Sequence, residues 1–105
     1  MSDYNHLRGD VKLTLLEHDY VMRPSFQAIA QLEDYFKRGI IDIARDYHNS
    51  KLCHATDFVA IIHAGLKGAA QDAPADLPDQ IVMTGLTQLI EPCGVFLAHA
   101  CGIRG

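Results

Sequence analysis

From Gly9 to Arg23 hydrophobic and polar positions alternate: Val11, Leu13 and Leu15 fall on one side and Lys12 and Thr14 on the other, the period of two that a half-buried strand requires. A connection through Leu16-Glu17-His18-Asp19 would return the chain with Tyr20 opposite Leu15 and Met22 opposite Leu13, giving a two-stranded hairpin one apolar face. Such a ribbon is marginal in water on its own. The chain after Pro24 follows helical spacing, so its cover must be helical.

The first helix is predicted to begin at Pro24-Ser25, where serine can cap the free amides, and to end at Lys37-Arg38-Gly39, with Phe26, Ile29, Leu32 and Phe36 as its buried stripe. A second runs from about Ile40 to His48, turning Ile40, Ile43, Ala44 and Tyr47 inward, and Asn49-Ser50 stops it. After Lys51-Leu52-Cys53-His54, Thr56 or Asp57 can cap a third helix reaching about Ala70, apolar around most of its circumference through Phe58, Val59, Ile61, Ile62 and Leu66. Gly65 and Gly68 each weaken it by about 1 kcal/mol relative to alanine, a cost that makes sense where another backbone approaches closely. The stretch from Gln71 to Pro78 reads as a surface loop. From Pro78 a fourth helix should carry Ile81, Val82, Leu86, Leu89 and Ile90 inward and leave Gln80, Thr84, Thr87 and Gln88 to water, until Pro92 interrupts it. Cys93 to about Cys101 is then a separate short helix or the far side of a kink, with Val95, Phe96 and Ala100 inside.

The expected fold is therefore α+β but mostly α, an N-terminal β-hairpin followed by four or five helices packed as one small bundle. Residues 1–8 should be a flexible N-terminus and residues 9–105 a single domain, with the hairpin at 9–23 and the helical part at 24–102. A chain of 105 residues, 49% apolar and 21% charged, has the material for one core and is too short for two. Its formal charge of -4 offers no basic field for nucleic acid or an anionic membrane face. The start, Met1-Ser2-Asp3-Tyr4-Asn5-His6, has no export pattern, and the apolar stretches from Phe58 to Ala70 and Gly94 to Ile103 fall short of the roughly 20 residues that span a bilayer. A soluble, cytoplasmic protein is expected. Cys53, Cys93 and Cys101 are odd in number and irregular in spacing, as reduced buried thiols would be.

The residues that could carry chemistry do not converge in sequence. Cys53-His54 places a thiol beside a base, but adjacent side chains do not point at one another. Cys93, His99 and Cys101, with Cys53, would be the ligands of a small metal-binding regulator, yet spacings of six and two do not share one helical face. His63 reads as a core or edge histidine, Glu33-Asp34 as a solvated acidic pair, and Gly65-Leu66-Lys67-Gly68 lacks the spacing and hydroxyl of a phosphate loop. No catalytic, cofactor-binding or metal-binding residue is assigned, and no enzyme is expected.

The run Met22-Arg23-Pro24-Ser25-Phe26-Gln27-Ala28-Ile29-Ala30-Gln31-Leu32-Glu33-Asp34 follows an alternating strand pair, and Val59-Ala60-Ile61-Ile62-His63-Ala64-Gly65-Leu66-Lys67-Gly68 is an apolar helix ending in Gly-Leu-x-Gly. With the closing apolar helix from Gly94 to Ala100, these resemble the hallmarks of a family of small proteins from phage-like gene transfer agents and related prophages. The likeness runs from Gly9 onward and rests on core residues, so it speaks to fold more firmly than to activity. At the hairpin turn Glu17-His18-Asp19 stands where the family commonly has a glycine.

That family is catalogued among phage tail assembly chaperones, with an older label as a tail tube component. The resemblance implies a non-enzymatic accessory protein of the bacterial host cytoplasm that binds a tape-measure or other tail protein through apolar helical surface, with no cofactor, nucleic acid or membrane partner. A structural tail or connector component is the alternative, and a homo-oligomer is left open. A tube subunit pairs sheets around a ring, whereas one hairpin and about four helices suit a groove-bearing helper better. Leu16, Tyr35 and Met83 are the candidate contact residues, as apolar side chains left over once the core is filled.

Overall fold

A computed structural model describes residues 8–102. The N-terminal segment expected to be flexible lies outside these except for Arg8. Strand β1 (Val11–Leu15) pairs antiparallel with β2 (His18–Met22), and five helices follow: α1 (Phe26–Phe36), α2 (Ile40–His48), α3 (Ala55–Gly68), α4 (Leu77–Thr84) and α5 (Leu86–Ala100). The architecture is the expected α+β one, a hairpin roofed by helices.

The hairpin turn is tighter than the sequence suggests. Leu15 faces His18, Leu13 faces Tyr20 and Val11 faces Met22, so the loop is only Leu16-Glu17, with Leu16 at φ 57. A shift of two residues preserves side-chain parity, which is why Val11, Leu13, Leu15 and Met22 still form one buried face. The Leu16 amide donates to Thr84 Oγ1 at 2.9 Å, tying the tight turn to the end of α4. On the outer edge of β2, the Val21 amide donates to Gln71 Oε1 at 2.8 Å and the Arg23 amide to the Gly65 carbonyl at 3.0 Å. Asp10, 1% exposed, receives a two-pronged ion pair from Arg23 at 2.7 and 2.8 Å, which clamps the base of the ribbon.

Ser25 caps α1 as its position predicts, its hydroxyl accepting from the Ala28 amide at 3.2 Å. The buried stripe differs. Ala28 and Leu32 face inward, Ile29 and Phe36 are half-buried, and Phe26 is 85% exposed. The helix is turned so that Ala28, one of its two alanines, meets α3: a Cβ on Gly68 would lie 2.9 Å from Ala28 Cβ and 2.1 Å from the Arg23 carbonyl oxygen. A Cβ on Gly65 would lie 2.7 Å from Met22 Cβ. Both glycines thus mark the close approach that their cost implies, and α3 packs against β2, α1, α4 and α5 at the centre of the molecule.

Helix α2 has the predicted bounds and buries Ile43, Ala44 and Tyr47. The third helix is capped at His54 rather than at Thr56 or Asp57; Asp57, in its first turn, reaches back to accept from the His54 amide at 3.1 Å. The expected break at Pro92 is also misplaced. The chain breaks at Gly85, φ 103, where α4 and α5 meet at 111°, and α5 runs through Pro92. The amide that Pro92 lacks would have faced the carbonyl of exposed Gln88, which water can satisfy, and Tyr47 donates to the Ile90 carbonyl at 2.6 Å in the same turn. The bend reorients the residues around it: Val82 and Ile90 are 61% and 52% exposed, while Gln80, assigned to water, is buried and bonded to Asp76 and Tyr20. In α5 the inward residues are Leu89, Cys93, Phe96 and Leu97, and Val95 is 37% exposed. Among the described residues no single helix is long and apolar enough to cross a membrane.

Candidate functional site

The residues singled out for chemistry are held apart. Cys53 is exposed and donates to the Ser50 carbonyl, Cys93 is buried, and Cys101 sits half-buried near the Ile40 carbonyl. His99 Nδ1 bonds the Gly9 carbonyl at 2.9 Å, tying α5 to the entry of the hairpin. Among the described residues no three His, Cys, Asp or Glu side chains come together as metal ligands. Desolvation pushes the Cys93 thiol up to about 12 and raises Cys101, so both are held as thiols. The Tyr47 phenol is also raised, by burial first and then by the neighbouring thiols of Cys93 and Cys53.

The acidic pair divides its duties. Glu33 accepts from the Ile40 amide at 2.9 Å and so caps α2 from α1, whereas Asp34 remains on the surface beside Lys37. Every buried side-chain polar atom among the described residues has a partner.

The structure offers an apolar depression between helices instead. Leu32 and Tyr35 of α1, Val59 and Ala60 of α3, and Pro78 at the start of α4 line a groove of about 350 Å³, edged by Gln31, Thr56 and His63. Its existence follows from the excess of apolar residues around α3: neighbours cover Ile61, Ile62 and Leu66 fully, but Val59 only in part. Gln31 Nε2 lies 2.9 Å from His63 Nδ1, a bridge that joins α1 to α3 at one end of the groove. The amide nitrogen can only donate, so this arrangement has Nδ1 accepting and the ring proton on Nε2. Beyond His63 the surface continues into a polar depression bordered by Lys67, Gln71 and Asp72. On another side, two depressions of about 240 and 420 Å³ share Tyr47, Ser50 and Ile90 along the α2–α5 seam.

Of the three contact residues expected from sequence, Tyr35 lines the α1–α3 groove and is 52% exposed. Leu16 and Met83, 42% and 71% exposed, lie outside it on the hairpin turn and on α4. Val59 and Pro78, placed on helices but not among the expected contacts, and Ala60 also line the groove. The available signal was an α3 more apolar than a single covered face requires.

What this groove can do is receive side chains. It has apolar walls, few polar groups and no converging ionisable residues, the features of a surface that takes an amphipathic helix. No curated protein and no solved structure matches the chain. The family model described as phage tail tube protein, GTA-gp10, matches residues 8–102, through the hairpin and all five helices, and the chain belongs to that family of phage and gene transfer agent tail proteins.

Proposed function

We propose that this tail-family protein is a non-enzymatic assembly chaperone, working in the cytoplasm of the bacterial host and holding an apolar helical segment of a tape-measure-type tail protein until the tail is built. The observation that carries this reading is the α1–α3 groove, open to solvent and walled by Leu32, Tyr35, Val59 and Ala60. Its size suits the side chains that an amphipathic helix presents at three- and four-residue spacing. The exposed apolar residues elsewhere, Phe26 and Met83 above all, add surface suited to adhesion rather than chemistry.

Coexpression with the tape-measure protein of the same locus tests it. The expected result is copurification and a gain in the partner's solubility, both lost in Val59→Glu, which puts a charge on the groove wall. Absence of copurification by the unaltered chain would remove the proposal. The family's description as a tail tube protein supports a second reading, a structural component of the tail. Recovery of the protein in purified particles, in stoichiometric amounts, would favour that reading over a transient helper.

A further inference from the structure

His63 stands where the apolar groove gives way to the polar depression, and its half-buried ring lines both. Gln31 Nε2 lies 2.9 Å from Nδ1, so the neutral imidazole accepts from α1 and closes that end of the groove. Protonation puts a hydrogen on Nδ1. It then meets another donor, and the bridge survives only if the Gln31 amide turns over to offer its oxygen. The positive charge stays at the groove's end in either case. Around the ring, α1 contributes Tyr35 and the neutral Gln31, α3 its own Lys67, the following loop Asp72, and α4 the uncharged Pro78. Lys67, one turn along α3, repels a positive ring, and among the described residues no carboxylate forms an ion pair with His63.

From this placement, and resting on the groove as the docking site, we infer that His63 gates the groove by charge: the partner's apolar helix is held while the imidazole is neutral and released as it takes up a proton. An occupant that covers the groove takes the ring out of water. The neutral ring tolerates this, with Gln31 satisfying Nδ1, whereas the cation loses hydration that apolar side chains do not replace. The occupied groove therefore binds fewer protons than the empty one, and the complex weakens as pH falls through the range in which imidazoles titrate, about 6 to 7. Above that range capture stands at its plateau, and below it each pH unit costs up to about tenfold.

The probe is the tape-measure protein of the same locus, coexpressed, captured on the tagged chain and washed at a series of pH values. Retained partner should fall about three- to tenfold between about pH 7.5 and pH 5.5. His63→Asn offers Gln31 an acceptor that cannot ionise, and it should retain the partner equally at both. The remaining histidines and the partner's own groups are common to both chains, so the difference between the two profiles belongs to position 63. His63→Gln is the second neutral replacement, and circular dichroism at both pH values checks the fold. A flat profile for the unaltered chain overturns the gate. So does an equal fall in the two neutral variants, or a loss of helical signal in the unaltered chain at the lower pH. In each of these cases loss of the partner by Val59→Glu at about pH 7.5 leaves the groove standing. If Val59→Glu retains the partner, groove and gate fall together.

Discussion

Gly68 sets the distance between α3 and the segment linking β2 to α1. A methyl group there would stand 2.1 Å from the Arg23 carbonyl oxygen, and backbone cannot step aside as a flexible side chain can. Gly68→Ala should therefore lower the urea midpoint, at a net cost of about 1–3 kcal/mol, although alanine is the better helix former by about 1 kcal/mol. Gly39→Ala is the control, since its Cβ would find nothing nearer than Glu33 Oε2 at 4.0 Å. Equal midpoints for the two variants would show that the crossing is looser than drawn. Cys93 supplies a second residue-scale consequence. Its buried thiol keeps its proton up to about 12, whereas the unfolded chain releases it near the ordinary value of 9.0. The unfolded state thus binds fewer protons above that pH, so the stability from this group is intact below about 9 and falls by up to about 1.4 kcal/mol per pH unit toward 12. Tyr47, also raised, adds the same sign at higher pH. Urea titrations from pH 8 upward should show the decline, and Cys93→Ala should flatten its first part; an unchanged slope in that variant would assign the loss elsewhere.

At the scale of elements, the α4–α5 joint shows a glycine outweighing a proline. Gly85 has a backbone conformation that side chains rarely adopt, so Gly85→Ala should cost about 1–2 kcal/mol, while Pro92→Ala restores an amide inside α5 and should gain about 1–3 kcal/mol. The opposite ranking in urea unfolding would put the break back at Pro92. The alternating hairpin face, the Ser25 cap and the full extent of α2 were legible in the chain because each depends on neighbours in sequence. The inward face of α1 was not: Phe26 is apolar, but its direction is decided by the contact of Ala28 with Gly68, far along the chain. The His54 start of α3 escaped because the carboxylate that caps its amide comes from Asp57, inside the helix. The groove was legible only in outline. Tyr35 could be picked as surplus apolar surface, but the space between Leu32 and Val59 comes from helix separation, which no local pattern records.

At the scale of the molecule, α3 joins the ribbon to α1, α4 and α5 and meets α2 edge-on through Phe58 and Tyr47, and the candidate docking surface lies along one of its flanks. The fold thereby separates a well-packed centre, where Ile61, Ile62, Leu66 and Phe96 are fully enclosed, from margins with apolar groups to spare. The bonds along the outer edge of β2 bear on how such a protein joins an assembly. Gln71 and the Gly65 carbonyl already occupy the amides of Val21 and Arg23. A neighbour adding its strand on that side would have to displace both and pry the last turn of α3 off the ribbon. Polymerisation through a shared sheet is barred along that edge by the molecule's own packing.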